Sequence, residues 1–275
     1  MSQSDPSDFS DNSRPPQSQQ SQSLAGRPHL SVVIPAYNEE GRIGASLTEA
    51  LAYLDAQDYR YEVLIVDDGS SDNTRAVALA AAAGRPNVQF LHYDGNRGKG
   101  YAVRYGMMRA VGDYVLFSDA DLSTPIAEVE KLYTRLRTGF EIAIGSRDVA
   151  DSKLEKRQSI LREMGGKLFN RFVQLLAVPG IHDTQCGFKL FTQAAARNIF
   201  GLCQIDNFSF DVEALYLGRQ LGYQIAEVGV AWHHCEGTKV VFFRDAWRMV
   251  KTLFRIRATD YQIKRAGERR KSASE

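Results

Sequence analysis

Cysteine is scarce in this chain: Cys186, Cys203 and Cys235 are the three thiols, widely spaced and without a C-x-x-C pair. That pattern fits neither a disulfide framework nor a cysteine zinc site, and it suits a reducing compartment. Long apolar runs are missing too. No charge-free stretch approaches the ~20 residues of a membrane span, and Phe172–Ile181 is among the longest. The N-terminal residues lack the apolar core a signal peptide needs. The expectation is a chain that does not cross a membrane. The first turn lacks G-x-G-x-x-G, and no G-x-x-x-x-G-K-[ST] is present. Their absence argues against a dinucleotide crossover and against a P-loop nucleotidase. Net charge is small, +1 over 275 residues, but unevenly spread. From Arg244 onward ten Lys and Arg face four Asp and Glu, a net of +6 that leaves −5 for the rest. Such a tail suits an anionic surface. Without a nucleic-acid reader motif beside it, nucleic acid is not the expected partner.

What is present reads as an ordinary globular domain, 44% apolar and 24% charged. Residues 1–28 are Ser, Gln, Pro and Asp with almost no large apolar side chain, and cannot offset their ordering entropy; a disordered tail is expected. Order begins at Leu30–Ile34, a buried strand stopped by Pro35 and the turn Ala36-Tyr37-Asn38-Glu39-Glu40. Ile43, Leu47, Leu51 and Leu54 recur at helical spacing. Tyr61–Val66 is a second strand, ending in Asp67-Asp68-Gly69-Ser70-Ser71-Asp72, one of which is expected to cap a helix through Ala76–Ala83. Further strands are expected at Val88–Tyr93, Tyr114–Phe117 and Phe140–Ile144. Alternating strands and amphipathic helices predict an α/β fold, a mostly parallel sheet with helices on both faces. Ligands of such sheets bind beyond the carboxyl ends of the strands. Tyr37 and Glu39, Asp67 and Asp68, Asp119 and Asp121, and Arg147 all fall just after apolar runs.

The sharpest signal is Tyr114-Val115-Leu116-Phe117-Ser118-Asp119-Ala120-Asp121, an apolar run entering two carboxylates one residue apart. On an extended backbone, side chains at i and i+2 leave on the same side. Two carboxylates so close repel unless a cation lies between them, and a divalent metal completed by water and phosphates meets that need.

Val33-Ile34-Pro35-Ala36-Tyr37-Asn38-Glu39-Glu40, Val66-Asp67-Asp68-Gly69-Ser70-Ser71-Asp72 and Asp119-Ala120-Asp121 together resemble a family 2 glycosyltransferase of GT-A fold. Gly145-Ser146-Arg147, Asp183-Thr184-Gln185-Cys186-Gly187-Phe188-Lys189-Leu190-Phe191 and Phe210-Asp211-Val212-Glu213 narrow the likeness. They are similar to the dolichyl-phosphate glucosyltransferase and dolichol-phosphate mannose synthase branch, closest to the glucosyl members, over about Leu30 to Val241. The resemblance implies that Pro35, Tyr37, Glu39 and Asp68 hold the nucleoside, with Asp68 accepting a hydrogen bond from the base. It implies that Asp119 and Asp121 hold Mg²⁺ or Mn²⁺ on the diphosphate. His233 and Lys239 match the segment that closes over the diphosphate, His at the first position being the glucosyl pattern. Ser123 stands where mannose synthases often have Gln, which leaves a third metal contact open. Arg147, Gln185 and Lys189 are the expected acceptor-phosphate contacts, with Asp121, Arg147 and Asp211 the catalytic set.

The implied reaction is inverting transfer of a hexose, glucose from UDP-glucose, onto a polyprenyl or dolichyl phosphate. GDP-mannose as donor and a non-catalytic nucleotide-sugar-binding domain are the alternatives. A lipid monophosphate, with a second pKa of about 6, is already ionised at neutral pH and needs cations rather than a strong base. Two stretches interleave apolar and basic residues as interfacial helices do. The first is Ile160–Leu176, equally compatible with packing on the domain. The second, for which a membrane surface is favoured over packing on the domain, is Phe242, Phe243, Trp247, Val250, Leu253, Phe254 and Ile256 among Arg244, Arg248, Lys251, Arg255 and Arg257. The expected domains are the tail 1–28, a GT-A domain 29–241 and a basic segment 242–275. The expected location is the cytoplasmic face of a membrane, peripherally bound.

Overall fold

The computed structural model describes residues 26–147, 153–154, 178–233, 251–261 and 263. Their strands are β1 (Leu30–Ala36), β2 (Tyr61–Asp67), β3 (Val88–His92), β4 (Tyr114–Ser118), β5 (Ile142–Ser146), β6 (Lys153–Leu154), β7 (Phe188–Thr192), β8 (Ile225–Gly229) and β9 (Ala231–Trp232). The helices are α1 (Ile43–Asp55), α2 (Thr74–Ala82), α3 (Lys99–Met107), α4 (Val129–Arg137), α5 (Gln193–Phe200), α6 (Phe210–Gln220) and α7 (251–258). Seven strands form one sheet in the order β3-β2-β1-β4-β7-β5-β8, while β6 and β9 make a separate parallel pair.

Every residue of β1 and β2 is buried, because helices cover both faces and period 2 then sends apolar side chains into two cores. Val33, Leu64 and Val66 enter one core, with Ala102, Val103 and Met107 of α3, Ile199 of α5 and Leu215 of α6. Leu30, Val32, Ile34, Val63 and Ile65 enter the other, with Leu47 and Leu51 of α1, Ala78 of α2 and Leu132 of α4. The N-cap of α2 is Asn73, whose side chain makes no capping bond; Asp72 before it accepts from Thr74 N at 2.9 Å instead.

Two findings add to the expectations. The sheet is mostly parallel, as expected: β1 to β4 and the β5·β8 pair run parallel, and β7 alone lies antiparallel, between β4 and β5. Reversal carries the segment before β7 to the rim where β4 ends, so Asp119 N donates to Gly187 O at 3.0 Å. The second concerns the basic C-terminal stretch. Leu253 and Ile256 join the α3-side core and Tyr261 is buried beside them, so this face of α7 packs on the domain while Phe254 stays 59% exposed. The residues Phe242, Phe243, Trp247 and Val250, the stretch 160–176 and the tail 1–25 lie outside the described residues.

Helix α3 approaches β1 and β2 closely at Gly106, where an added Cβ would meet Val33 Cγ1 and come within 2.9 Å of Val66 Cγ2. Gly106→Ala is expected to lower unfolding free energy by about 1–3 kcal/mol through overpacking. Urea denaturation checks it, with a lower midpoint and an unchanged slope.

Candidate active site

The carboxyl ends of β1, β2, β4 and β5 surround a cavity of about 530 Å³. Of the residues singled out from sequence, Pro35, Tyr37, Glu39, Asp68, Asp119, Asp121, Arg147, Gln185 and Asp211 line it. Lys189 and His233 are not among the residues that line it, and Lys239 lies outside the described residues. Arg42, Asn96, Gly98, Lys99 and Phe208 also line the cavity and were not singled out as site residues.

The first wall is built by two loops hydrogen-bonded to each other. Asn38, in the left-handed region at φ 53°, accepts from Ser71 N, while Asn38 N donates to Ser70 Oγ and Glu39 N to Thr74 Oγ1. Glu39 is held by Arg42, Nη2 to Oε2 at 2.6 Å. Asp68 is almost wholly buried and already engaged: Oδ1 accepts from Arg97 N at 2.7 Å and Tyr93 OH at 2.8 Å, and Oδ2 from Gly98 N at 2.9 Å. This carboxylate therefore ties the 94–98 loop to the end of β2.

The paired acids arise differently from the extended geometry expected. β4 stops at Ser118, and Asp119–Asp121 form a turn, with Leu122 N donating to Asp119 O and Leu122 at φ 45°. Asp121 Oδ1 accepts from Ser123 N at 3.0 Å, and its Oδ2 lies 3.9 Å from Arg42 Nη1. The main chain of Ser123 in turn accepts from His233 N at 2.8 Å, so His233 is docked on the same turn. Behind Asp119 stands Gly187, where any Cβ would overlap the carboxylate. Asp119 Oδ1 is buried without a well-aimed hydrogen bond and has the Lys99 ammonium 2.6 Å away.

That donor set fits a hard divalent cation. Two carboxylates face one cavity, one oxygen lacks a hydrogen bond, and no cluster of three or more His, Cys, Asp or Glu exists among the described residues to form a full protein cage. A cation here would need oxygens from elsewhere, as magnesium-type ions bound through one or two carboxylates plus phosphates do.

The second wall comes from β5, β7 and α6. Arg147, just after β5, is gripped by buried Asp183: Nε to Oδ2 at 2.7 Å, Nη2 to Oδ1 at 2.9 Å and backbone N to Oδ2 at 3.0 Å. Its guanidinium also lies 5.6 Å from the Trp232 ring. Burial works to push the Asp183 carboxyl up, but the charge and hydrogen bonds of Arg147, with help from Lys189, hold it below the usual carboxylate range. Gln185 Nε2 is buried with no hydrogen-bond partner among the described residues, a donor left for a ligand. Period 2 along β7 explains the position of Lys189. Phe188 and Leu190 face one core, so Lys189 points to the other side and is 1% exposed. There its Nζ reaches Asp211 Oδ1 and Cys186 O, each at 2.5 Å. Lys189 is thus a partner of Asp211 and not a cavity cation. Burial raises the Asp211 carboxyl, and Lys189 and Lys99 oppose that only in part.

Known proteins resemble this chain in sequence and in fold. The profile described as Glycosyl transferase family 2 matches residues 31–200. A dolichyl-phosphate beta-glucosyltransferase of Dictyostelium discoideum is 40% identical over 241 residues, covering 83% of this chain and 74% of its own. The protein of that name from Homo sapiens shows 40% identity over 241 residues with the same coverage, 83% and 74%. The Saccharomyces cerevisiae protein is 38% identical over 246 residues, again 83% and 74%. Among solved structures, glucosyl-3-phosphoglycerate synthase of Mycobacterium tuberculosis in complex with Mn²⁺, UDP and glucosyl-3-phosphoglycerate superimposes with a TM-score of 0.62 at 19% identity. That match covers 89% of this chain and 85% of the other, and it establishes a shared fold.

Asp183→Asn removes the charge that grips Arg147, and breaking such a buried pair costs about 3–5 kcal/mol at neutral pH. Since the folded carboxyl titrates below its unfolded value, its contribution is complete above about pH 4 and is lost as pH falls through the folded value. Unfolding free energies of both proteins from pH 7 downward are expected to show a gap that narrows only below that point.

Proposed function

The chain belongs to glycosyl transferase family 2, and on that basis we propose that it transfers glucose from UDP-glucose to the phosphate of a dolichol-type polyprenyl lipid. The observation that carries this reading is the convergence of Asp119 and Asp121 with Asp68 and Arg147 on one cavity. The names of the relatives, dolichyl-phosphate beta-glucosyltransferase, support glucose as the sugar and a lipid phosphate as the acceptor.

Pro35, Tyr37, Glu39 and Asp68 border the half of the cavity formed by β1 and β2, where the uridine would lie. Asp119 and Asp121 would hold Mg²⁺ or Mn²⁺, which when bound neutralises charge developing on the leaving diphosphate. Across from them, Arg147 and the Gln185 amide present donors to the acceptor phosphate. Asp183 keeps the guanidinium in one orientation, so its alignment is set before the acceptor arrives. An acceptor phosphate whose second pKa is about 6 reacts as the dianion, so Asp211 is needed to orient and not to take a proton. Direct displacement would invert the anomeric centre. His233, docked on Ser123, and Lys239 would close the diphosphate side.

No helix among the described residues is long and apolar enough to cross a membrane. The proposed approach to the lipid is peripheral, from the cytoplasmic face, with exposed Phe254 set among Lys251, Arg255 and Arg257, all exposed as well.

Incubation with radiolabelled UDP-glucose, dolichyl phosphate and Mn²⁺ is expected to move label into organic solvent, and a parallel GDP-mannose reaction to move little. Label confined to water-soluble product would remove the lipid acceptor, and a stronger mannose signal would replace the donor. Asp121→Asn is expected to cut turnover by roughly 100-fold or more, the scale of losing an electrostatic contact made in the transition state, while thermal unfolding stays near that of the parent. Chelation with EDTA is expected to have the same effect and to be reversed by added Mn²⁺.

A further inference from the structure

Four charged side chains alternate in sign from the cavity into the core. Asp119 pairs with Lys99 at 2.6 Å, and Asp211 pairs with Lys189 at 2.5 Å. The two ammonium groups share one wall: Lys99 Nζ lies 5.5 Å and Lys189 Nζ 5.7 Å from the Phe117 ring centroid. The two pairs differ in exposure, the first partly open to the cavity and the second buried. Lys189 is buried in β7 with a backbone carbonyl as its second partner. Lys99 begins α3 after Gly98, which is at φ 99°, and its head lies at the cavity beside the ring of Phe208, 5.7 Å away.

We propose that Lys99 holds the place of the divalent cation on Asp119 and passes to the donor diphosphate when metal and nucleotide load together. This deepens the reading of the cavity as a metal and nucleotide-sugar site and rests on it. Lys99 sits against Asp119 Oδ1, the oxygen that otherwise lacks a hydrogen bond. An ammonium and a divalent cation cannot both occupy that position, because in a partly buried site two cations at contact distance repel by several kcal/mol. Asp119 cannot withdraw from Lys99 toward Gly187, which backs the carboxylate with no room for even a methyl group. Lys99 must therefore leave Asp119 for the metal to bind. Asp211 is a poor destination because Lys189 already occupies its Oδ1. The diphosphate, entering a cavity that Lys99 lines, supplies the missing counter-charge. In this arrangement Lys99 disfavours bare metal and favours metal accompanied by a nucleoside diphosphate. It is a positioning residue that couples the two ligands.

Removing the ammonium moves the two affinities in opposite directions, which a purely structural role would not do. Binding of Mn²⁺ alone, followed by the paramagnetic resonance of free ion, is expected to tighten at least roughly five-fold in Lys99→Met, the low end of typical coupling between sites. UDP binding in saturating Mn²⁺, measured by calorimetry, is expected to weaken by a similar factor. Lys99→Gln is measured alongside, so the result does not hang on one substitution, and Lys99→Arg, which keeps the charge, is expected to restore weak binding of Mn²⁺ alone. Equal or weaker Mn²⁺ affinity in folded Lys99→Met and Lys99→Gln overturns the exchange while leaving the site reading intact. Failure of the unsubstituted protein to bind UDP with Mn²⁺ overturns both.

Discussion

A carboxylate pinned between a glycine and an ammonium is the constraint on which the site rests. Asp119 cannot retreat, because Gly187 closes the space behind it and takes its backbone N–H. Its Oδ1 is buried without a hydrogen bond, and the charge that meets it is the Lys99 ammonium. Removing water from such a group raises the cost of leaving it unpaired and the strength of whatever pairs with it. A like charge at Asp121 sits one residue beyond the intervening Ala120, and the repulsion between the two makes the turn a receptor for positive charge.

The same logic governs the other half of the cavity. Arg147 is useful to an anion only if its guanidinium is held, and Asp183 holds it with two side-chain bonds and one backbone bond. Asp211 is kept within the core by Lys189, and Glu213 of the same helix accepts from Gln204 N, Ile205 N and Tyr261 OH. That last bond ties Tyr261 to α6, while the other two tie α6 to the loop that precedes Phe208, so Tyr261 braces the helix that carries Asp211. A basic amphipathic stretch can thus serve the domain with its apolar face and still expose Phe254 and its cations.

The route from sequence to site was legible where one loop carries its own chemistry. Tyr37 and Glu39, Asp68, the Asp119 and Asp121 pair and Arg147 each follow an apolar run, and all reach the cavity. Lys99 and Phe208 were harder to see. Lys99 sits in a glycine-rich loop that reads as an ordinary helix entry, and Phe208 is an aromatic in a polar connection with no motif of its own. Lys189 was misplaced because one strand residue shows its side only when its neighbours are known. Asp119 and Asp121 converge through a turn with Leu122 in the left-handed region, and not through strand pleat.

By itself the amino-acid order determined the two-sided burial of β1 and β2, the helices between them, the family and the acids at the strand ends. Those follow from local periodicity and from residues close together along the chain. The reversal of β7 was decided only in three dimensions. Both its partner strands precede it by more than forty residues in sequence, and pairing across such distances is set by where an apolar strand finds an open sheet position. Through that reversal Asp183, Gln185 and Gly187 come to stand opposite Asp119, and the charges of Lys99, Lys189 and Asp211 acquire the neighbours that define what each can do.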